Sequence, residues 1–152
     1  GLHCFPEERA KLEANHDPEL AVNAMHEIIR WQTPLAHMRR TAMEDTELFG
    51  HQIKKRDKIA LWYASANRDE KVFSDPFKFD ITRTPNDHVA FGAYGRHHCL
   101  GAPLARLELR VLFEEILRRF DTMQLATDGP LPWRRGNFVL GLNEVPVTFT
   151  AK

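Results

Sequence analysis

Cysteine is scarce in this chain: 152 residues hold only Cys4 and Cys99, in unrelated contexts. That excludes a disulfide scaffold and points to a reducing compartment, with the cytoplasm as the default. Long apolar runs are missing as well, none approaching the roughly 20 residues that a membrane-spanning helix needs. The opening stretch carries charge by Glu7, which leaves no apolar segment long enough for a secretion signal. Neither sign of charge dominates: Lys plus Arg and Asp plus Glu both number 21. No net field therefore draws the chain to nucleic acid or an acidic bilayer, and a charge-guided partner has to use a local patch. Internal repeats and low-complexity tracts are absent from the sequence. There is no initiating Met, and the abrupt start at Gly1 leads us to expect a truncated chain.

What is present is an ordinary globular composition, 43% hydrophobic and 28% charged, at a length that supports one real core. The residues from Pro6 to Asn15 suit a short helix. Asp17 then reads as an N-cap, with Pro18 at the first helical position and an apolar helix from Glu19 to Trp31 that Pro34 stops. Short stretches between Met38 and Ile53, broken by Gly50, predict small strands and turns. Lys58 to Ala66 is an apolar run. After Asn67 the chain loses periodicity across Pro76, Pro85 and Gly92, a length of ordered loop that usually has a function. Leu104, Leu107, Val111, Leu112, Ile116 and Leu117 recur at helical spacing and predict a helix over 100–120, with Arg118 and Arg119 complementing its C-terminal dipole. Pro130 and Pro132 mark a loop, and Phe138 to Thr150 predicts one or two strands.

The densest chemistry lies at Phe91-Gly-Ala-Tyr-Gly-Arg-His-His-Cys99-Leu-Gly101, a glycine-containing loop that delivers a thiol to the start of a helix. Glycines allow close backbone approach to a large flat ligand, and a helix N-terminus favours negative charge. A single cysteine in a soluble domain is most often a buried, inert hydrophobe. Zinc is a second reading, because His88, His97, His98 and Cys99 are all competent ligands. Adjacent ligands with no second cysteine nearby do not match the usual structural zinc spacings.

Gly95-Arg-His97-His-Cys99-Leu-Gly101 resembles the cysteine-loop signature of the cytochrome P450 family. The resemblance implies that Cys99 is the axial ligand of haem b iron. It further implies that Phe91 packs beneath the porphyrin, that Gly92 and Gly101 let the backbone approach the cofactor, and that His97 contacts a haem propionate. The loop from Phe91 to Cys99 is one position longer than the family's usual pattern, Tyr94 being the extra residue. It is similar in this to an actinobacterial-type branch that hydroxylates sterol side chains and methyl-branched lipids.

Three further segments carry the same likeness in the same order. Glu27-Ile-Ile-Arg30 resembles the family's Glu-x-x-Arg motif, and Phe79-Asp-Ile-Thr-Arg83 supplies the arginine that completes a buried Glu-Arg-Arg network. Taken alone, Glu27 and Arg30 read as a solvated surface pair worth about 0.2 to 0.5 kcal/mol. Arg40-Thr-Ala resembles a segment whose arginine binds a haem propionate, with Arg39 as the competing residue. Ser65-Ala-Asn-Arg-Asp69, Phe73-Ser-Asp-Pro76 and Asn86-Asp-His88-Val-Ala-Phe91 are similar to the family's linker into the cysteine loop.

The implied fold is mainly α with small β-sheets (α+β), the chain being the C-terminal, haem-binding portion, 1–152, of a single cytochrome P450 domain. The N-terminal portion and the distal oxygen-activating helix are expected to lie outside it, so that the isolated chain is inactive. The parent is expected to insert one oxygen atom from O2 into a C–H bond of a lipid-like or sterol-like substrate. Leu35, Ala36, His37 and Met38, with Val139 and Leu140 in the segment 139–142, would line the substrate pocket. Electrons would come from a ferredoxin or flavodoxin-type donor docking near Arg96, Arg106 and Arg110. A haem-binding or haem-sensing module without catalysis is the alternative, and Cys4 receives no role.

Overall fold

The computed structural model describes residues 2–15, 17–92 and 95–152. A single 3-10 turn at Leu2–Cys4 leads into helix α1, Pro6–Ala14. Helix α2, Pro18–Gln32, starts where the sequence predicts: the Asp17 carboxylate accepts the Glu19 amide at 2.9 Å, and Pro18 needs no amide partner in the first turn. Its end is set one residue earlier than Pro34. Thr33 adopts the left-handed conformation (φ 43°), its amide donating to Ile29 O and its hydroxyl to Arg30 O. A β-branched residue is strained there, and Asn67, which donates to the Thr33 hydroxyl at 2.9 Å, helps to hold it.

Among the described residues the sheet structure consists of three antiparallel pairs. Strand β1, His37–Thr41, pairs with β4, Lys58–Trp62, with His37 opposite Trp62 and Arg39 opposite Ala60. Between them lies the hairpin of β2, Thr46–Leu48, and β3, His51–Ile53. The apolar run to Ala66 thus divides into β4 and a one-turn helix, α3, Tyr63–Ala66. From there to Ala102 the described residues form only turns and extended chain, as the missing periodicity predicts.

Helix α4, Ala102–Arg119, starts after Gly101 and passes directly into β5, Phe120–Leu125, a strand that the sequence reading does not contain. Its partner is β6, Val147–Ala151, so the expectation of strands over Phe138–Thr150 needs correction. Proline at 146 has no amide for a ladder, and before it only isolated bridges form, Trp133 with Leu142 and Leu35 with Val139.

Helix α2 organises the core from two sides. Ala21 and Ala24 pack with Leu12 of α1 and with Phe79 and Ile81 of the long loop. Met25 and Ile29 pack with Ala90, against which Phe91 and Leu109 also lie. The apolar stripe of α4 is a helical face, as predicted, yet Leu104, Leu107, Val111 and Leu112 are exposed. Only Ala102 of that helix is fully buried.

Candidate functional site: a cysteine loop on a buried ionic base

The site is built from α2 outward. Glu27 and Arg30 are one helical turn apart, and both are 0% exposed. Arg30 grips the carboxylate with two bonds, Nε to Oε2 at 2.7 Å and Nη2 to Oε1 at 2.8 Å, the parallel geometry in which a guanidinium binds most strongly. Arg83 arrives from the long loop, its Nε 3.3 Å from Oε2. The Asp80 amide and the Asn86 side chain each add a bond at 3.0 Å. The surface-pair reading of Glu27 and Arg30 is thereby replaced by a saturated, buried carboxylate.

Two guanidiniums against one carboxylate leave a net positive charge, and the loop supplies oxygen for it. Arg30 Nη1 donates to the carbonyls of Asn67 and Pro76 at 2.7 and 2.9 Å. Arg83 donates to those of Ser74, Asp75 and Lys78. Burying charge this way is tolerable only because nearly every donor and acceptor is used. The long segment without helix or strand is therefore ordered by its carbonyls.

Asn67 is the residue to which sequence reasoning gave no role. Fully buried, it donates to Thr33 and accepts the Val89 amide at 2.8 Å, connecting the end of α2 to the approach of the cysteine loop. Glu8 is similar: its carboxylate is buried and accepts the Ile81 amide at 3.0 Å. Neither contact has a local sequence signal beyond the segments that resemble the family.

Cys99 lies at the end of the loop that this network approaches through Asn86 and Val89. Its thiol is free and exposed, and its amide donates to Phe91 O at 2.9 Å, which closes the loop on itself. Gly92 has φ +85°, and a Cβ there would approach the His97 carbonyl at 3.4 Å. Gly101 lies beside the sulfur, where a Cβ would stand 3.9 Å from Cys99 Sγ. His97 is exposed, and Tyr94 lies outside the described residues. Among the described residues no group of three or more His, Cys, Asp or Glu side chains is placed to hold a metal ion, so the zinc reading gains no geometry.

Phe91 is held from behind. The Arg106 guanidinium lies 5.1 Å from its ring centre, a cation–π distance, and the Arg106 Nε is buried with no hydrogen-bond partner among the described residues. Arg106 is thus half-buried and turned inward, which corrects its place among the exposed docking arginines. Arg96 and Arg110 are exposed, the latter 3.7 Å from Glu114. Beneath the loop His26 Nδ1 and His88 Nε2 are 3.2 Å apart. Burial, and then the charge of Arg106, lowers the His26 pKa. For His88 burial, His26 and Arg106 act in that order and lower it from 6.5 to about 4.

The remaining residues singled out in the sequence fall on β1 and its neighbourhood. Arg39 and Arg40 are both exposed on adjacent, opposite-facing positions of the strand, and Arg40 Nη1 donates to Arg39 O at 3.1 Å. The structure brings Leu35 and Val139 together as a bridge, with the Leu140 amide donating to Pro34 O at 2.7 Å. Ala36 O accepts the Tyr63 amide, and His37 lies against Trp62 with ring centres 5.0 Å apart. The His37 Nδ1 is buried and has no partner among the described residues.

Residues 10–150 match the family model for cytochrome P450. The chain is 48% identical to a steroid C26-monooxygenase of Mycolicibacterium smegmatis over 88% of this chain and 33% of that protein. It is 44% identical to a methyl-branched lipid omega-hydroxylase of Mycobacterium tuberculosis over 98% of this chain and 34% of the relative. Among solved structures, CYP153D17 from Sphingomonas superposes with a TM-score of 0.87 at 49% identity, covering 99% of this chain and 36% of that one. The chain therefore spans about a third of the length of the curated relatives it matches. Motif order, backbone course and the ionic base beneath the cysteine agree with the match, and the chain belongs to the cytochrome P450 family, whose members carry haem.

Proposed function

We propose that this chain is the cysteine-ligating portion of a haem-thiolate monooxygenase that hydroxylates a lipid-like or sterol-like substrate. The observation that carries the reading is the exposed Cys99 thiol on a loop closed by its own amide, with the approach to that loop tied to the buried Glu27 cluster by Asn86 and to Asn67 by Val89. A ligand to iron has to be accessible and fixed, and this cysteine is both.

The residues present fit the cofactor. Cys99 would supply the sulfur, Phe91 and the 97% exposed Leu100 offer apolar surface, and the glycines at 92 and 101 keep side-chain bulk away from the loop and the sulfur. His97 and Arg40, or Arg39 in its place, would pair with the propionates; a guanidinium suits a carboxylate particularly well. When bound, haem supplies oxygen activation, and thiolate ligation favours O–O cleavage more than imidazole does. The chain's own task is to orient and exclude water. The Leu35–Met38 and Val139–Leu140 segments would form one apolar wall of the substrate site.

The 1–152 segment is, in this reading, part of one larger domain whose remainder covers the exposed α4 stripe. Contiguous apolar side chains of that kind mark a contact face. The distal oxygen-activating machinery belongs to that remainder, so the isolated chain would not hydroxylate. We place the whole protein in the cytoplasm, with a ferredoxin or flavodoxin-type donor docking at Arg96 and Arg110. No helix of the described residues is long and apolar enough to cross a membrane.

The relatives' names support the substrate class, since one is a steroid C26-monooxygenase and one a methyl-branched lipid omega-hydroxylase. The test is turnover of the full-length protein with a methyl-branched fatty acid and a sterol under isotopically labelled dioxygen. One labelled oxygen atom in a hydroxylated product is expected. Coupled electron consumption with neither compound hydroxylated would overturn the substrate class.

A further inference from the structure

Sequence distance hides the contact between His26 on α2 and His88 at the entrance of the cysteine loop. The two rings meet at 3.2 Å across 62 residues of chain. A backbone amide can only donate, and the Ala90 amide is directed at His88 Nδ1 across a long 3.4 Å. The His88 proton therefore sits on Nε2 and is donated to His26 Nδ1, which leaves the His26 proton on its own Nε2. Both rings are uncharged in this arrangement, and a proton added to either acceptor nitrogen destroys one of the bonds.

The pair is coupled to the loop through Phe91. The His88 ring centre lies 5.9 Å from that of Phe91, and the Arg106 guanidinium stacks 5.1 Å from the same ring. Phe91 in turn accepts the Cys99 amide on its carbonyl. A cavity of about 290 Å³ between these elements is lined by His26, His88, Arg106, Asp87 and His98. The charged groups acting on the pair are Arg106 from α4 and Arg30 and Glu27 from α2, while Asp87 of the loop and Arg110 of α4 line the cavities beside it. Their positive majority opposes a further positive charge.

We propose that His26 and His88 are positioning residues for the cysteine loop: a hydrogen-bonded imidazole pair that clamps the loop to α2 and holds Phe91, and through it Cys99, in place for the iron. The inference rests on the reading of Cys99 as the haem ligand. Its consequence is a cofactor grip that depends on the pair's hydrogen bond and weakens when the pair takes up a proton.

The experiment uses the full-length haem protein and measures the rate of haem transfer to a scavenging apoglobin between about pH 8 and pH 5. His26→Leu and His88→Phe remove one side of the bond, and the paired amides His26→Asn with His88→Gln keep an acceptor and a donor that do not titrate. Loss of the bond is expected to speed haem transfer about tenfold at neutral pH, the usual scale for a partner behind a metal ligand. The amide pair should stay within about threefold of the unmodified protein and lack its rise below pH 6.5. Equal rates and pH profiles in all variants would overturn the proposal, as would an amide pair no better than the apolar variants. If His88→Phe does not accumulate as folded protein, His26→Leu decides alone, because it leaves His88 against Phe91. Cys99→Ala separates the two readings: a variant that keeps the thiolate-type spectrum refutes the ligand assignment and leaves the imidazole clamp to be judged by its own rates.

Discussion

Arg30 and Glu27 share a bidentate contact of 2.7 and 2.8 Å in which neither side chain has any solvent exposure. The segment that leads to Cys99 is fastened to this pair through Arg83, Asn86 and Asn67.

Glu27→Gln removes the carboxylate that the Arg30 and Arg83 guanidiniums share. The loss should lie near the about 3 to 5 kcal/mol typical of a broken buried pair, because two cations are left facing each other. Urea unfolding of the full-length protein measures it. Replacing Arg83, whose side chain is 8% exposed and whose contact is longer, should cost less than replacing Arg30.

Asn67→Ala should cost about 2 to 4 kcal/mol, since it removes the donor to the Thr33 hydroxyl and leaves the Val89 amide without its partner. Asn67→Asp keeps the acceptor for Val89 but replaces the donor to Thr33 with a buried charge, and it should cost more than Asn67→Ala. Equal midpoints for both variants would refute the assignment of separate roles to the two amide atoms.

His88 makes stability depend on acidity. Its folded pKa is about 4 against an ordinary 6.5, so the unfolded chain binds the extra proton first as pH falls. Full stability is present above pH 6.5 and is lost progressively toward pH 4. Because the ring is only partly buried, the total is on the order of 2 kcal/mol. His88→Gln should flatten that part of the unfolding-midpoint profile, and an unchanged slope would contradict the assignment.

Arg39 and Arg40 are exposed on β1, so Ala at either position should leave stability within about 0.5 kcal/mol. Haem retention is where they should differ, the propionate-binding arginine alone increasing cofactor loss. Two variants with unchanged retention would remove both from the cofactor site.

Much of this was legible in the sequence because it is local or carried by motif. Asp17 and Pro18 announce α2, apolar spacing announces α4, and Glu27, Arg30 and Arg83 stand in recognisable segments. What was not legible is held together at long range. Strand β5 follows a helix without a turn and is defined by β6, and the left-handed Thr33 is held in part by the distant Asn67. Arg106 looked like a solvent-facing helix residue, and only the position of Phe91 turns it inward. The His26–His88 contact leaves no periodic trace at all.

The most direct test of the whole account is the absorption spectrum of the reduced, carbon monoxide-bound full-length protein, recorded beside that of its Cys99→Ala variant. The account predicts the strongly red-shifted Soret band of thiolate-ligated haem in the first and its loss in the second. Haem bound without that band, or a band that persists in Cys99→Ala, would contradict it.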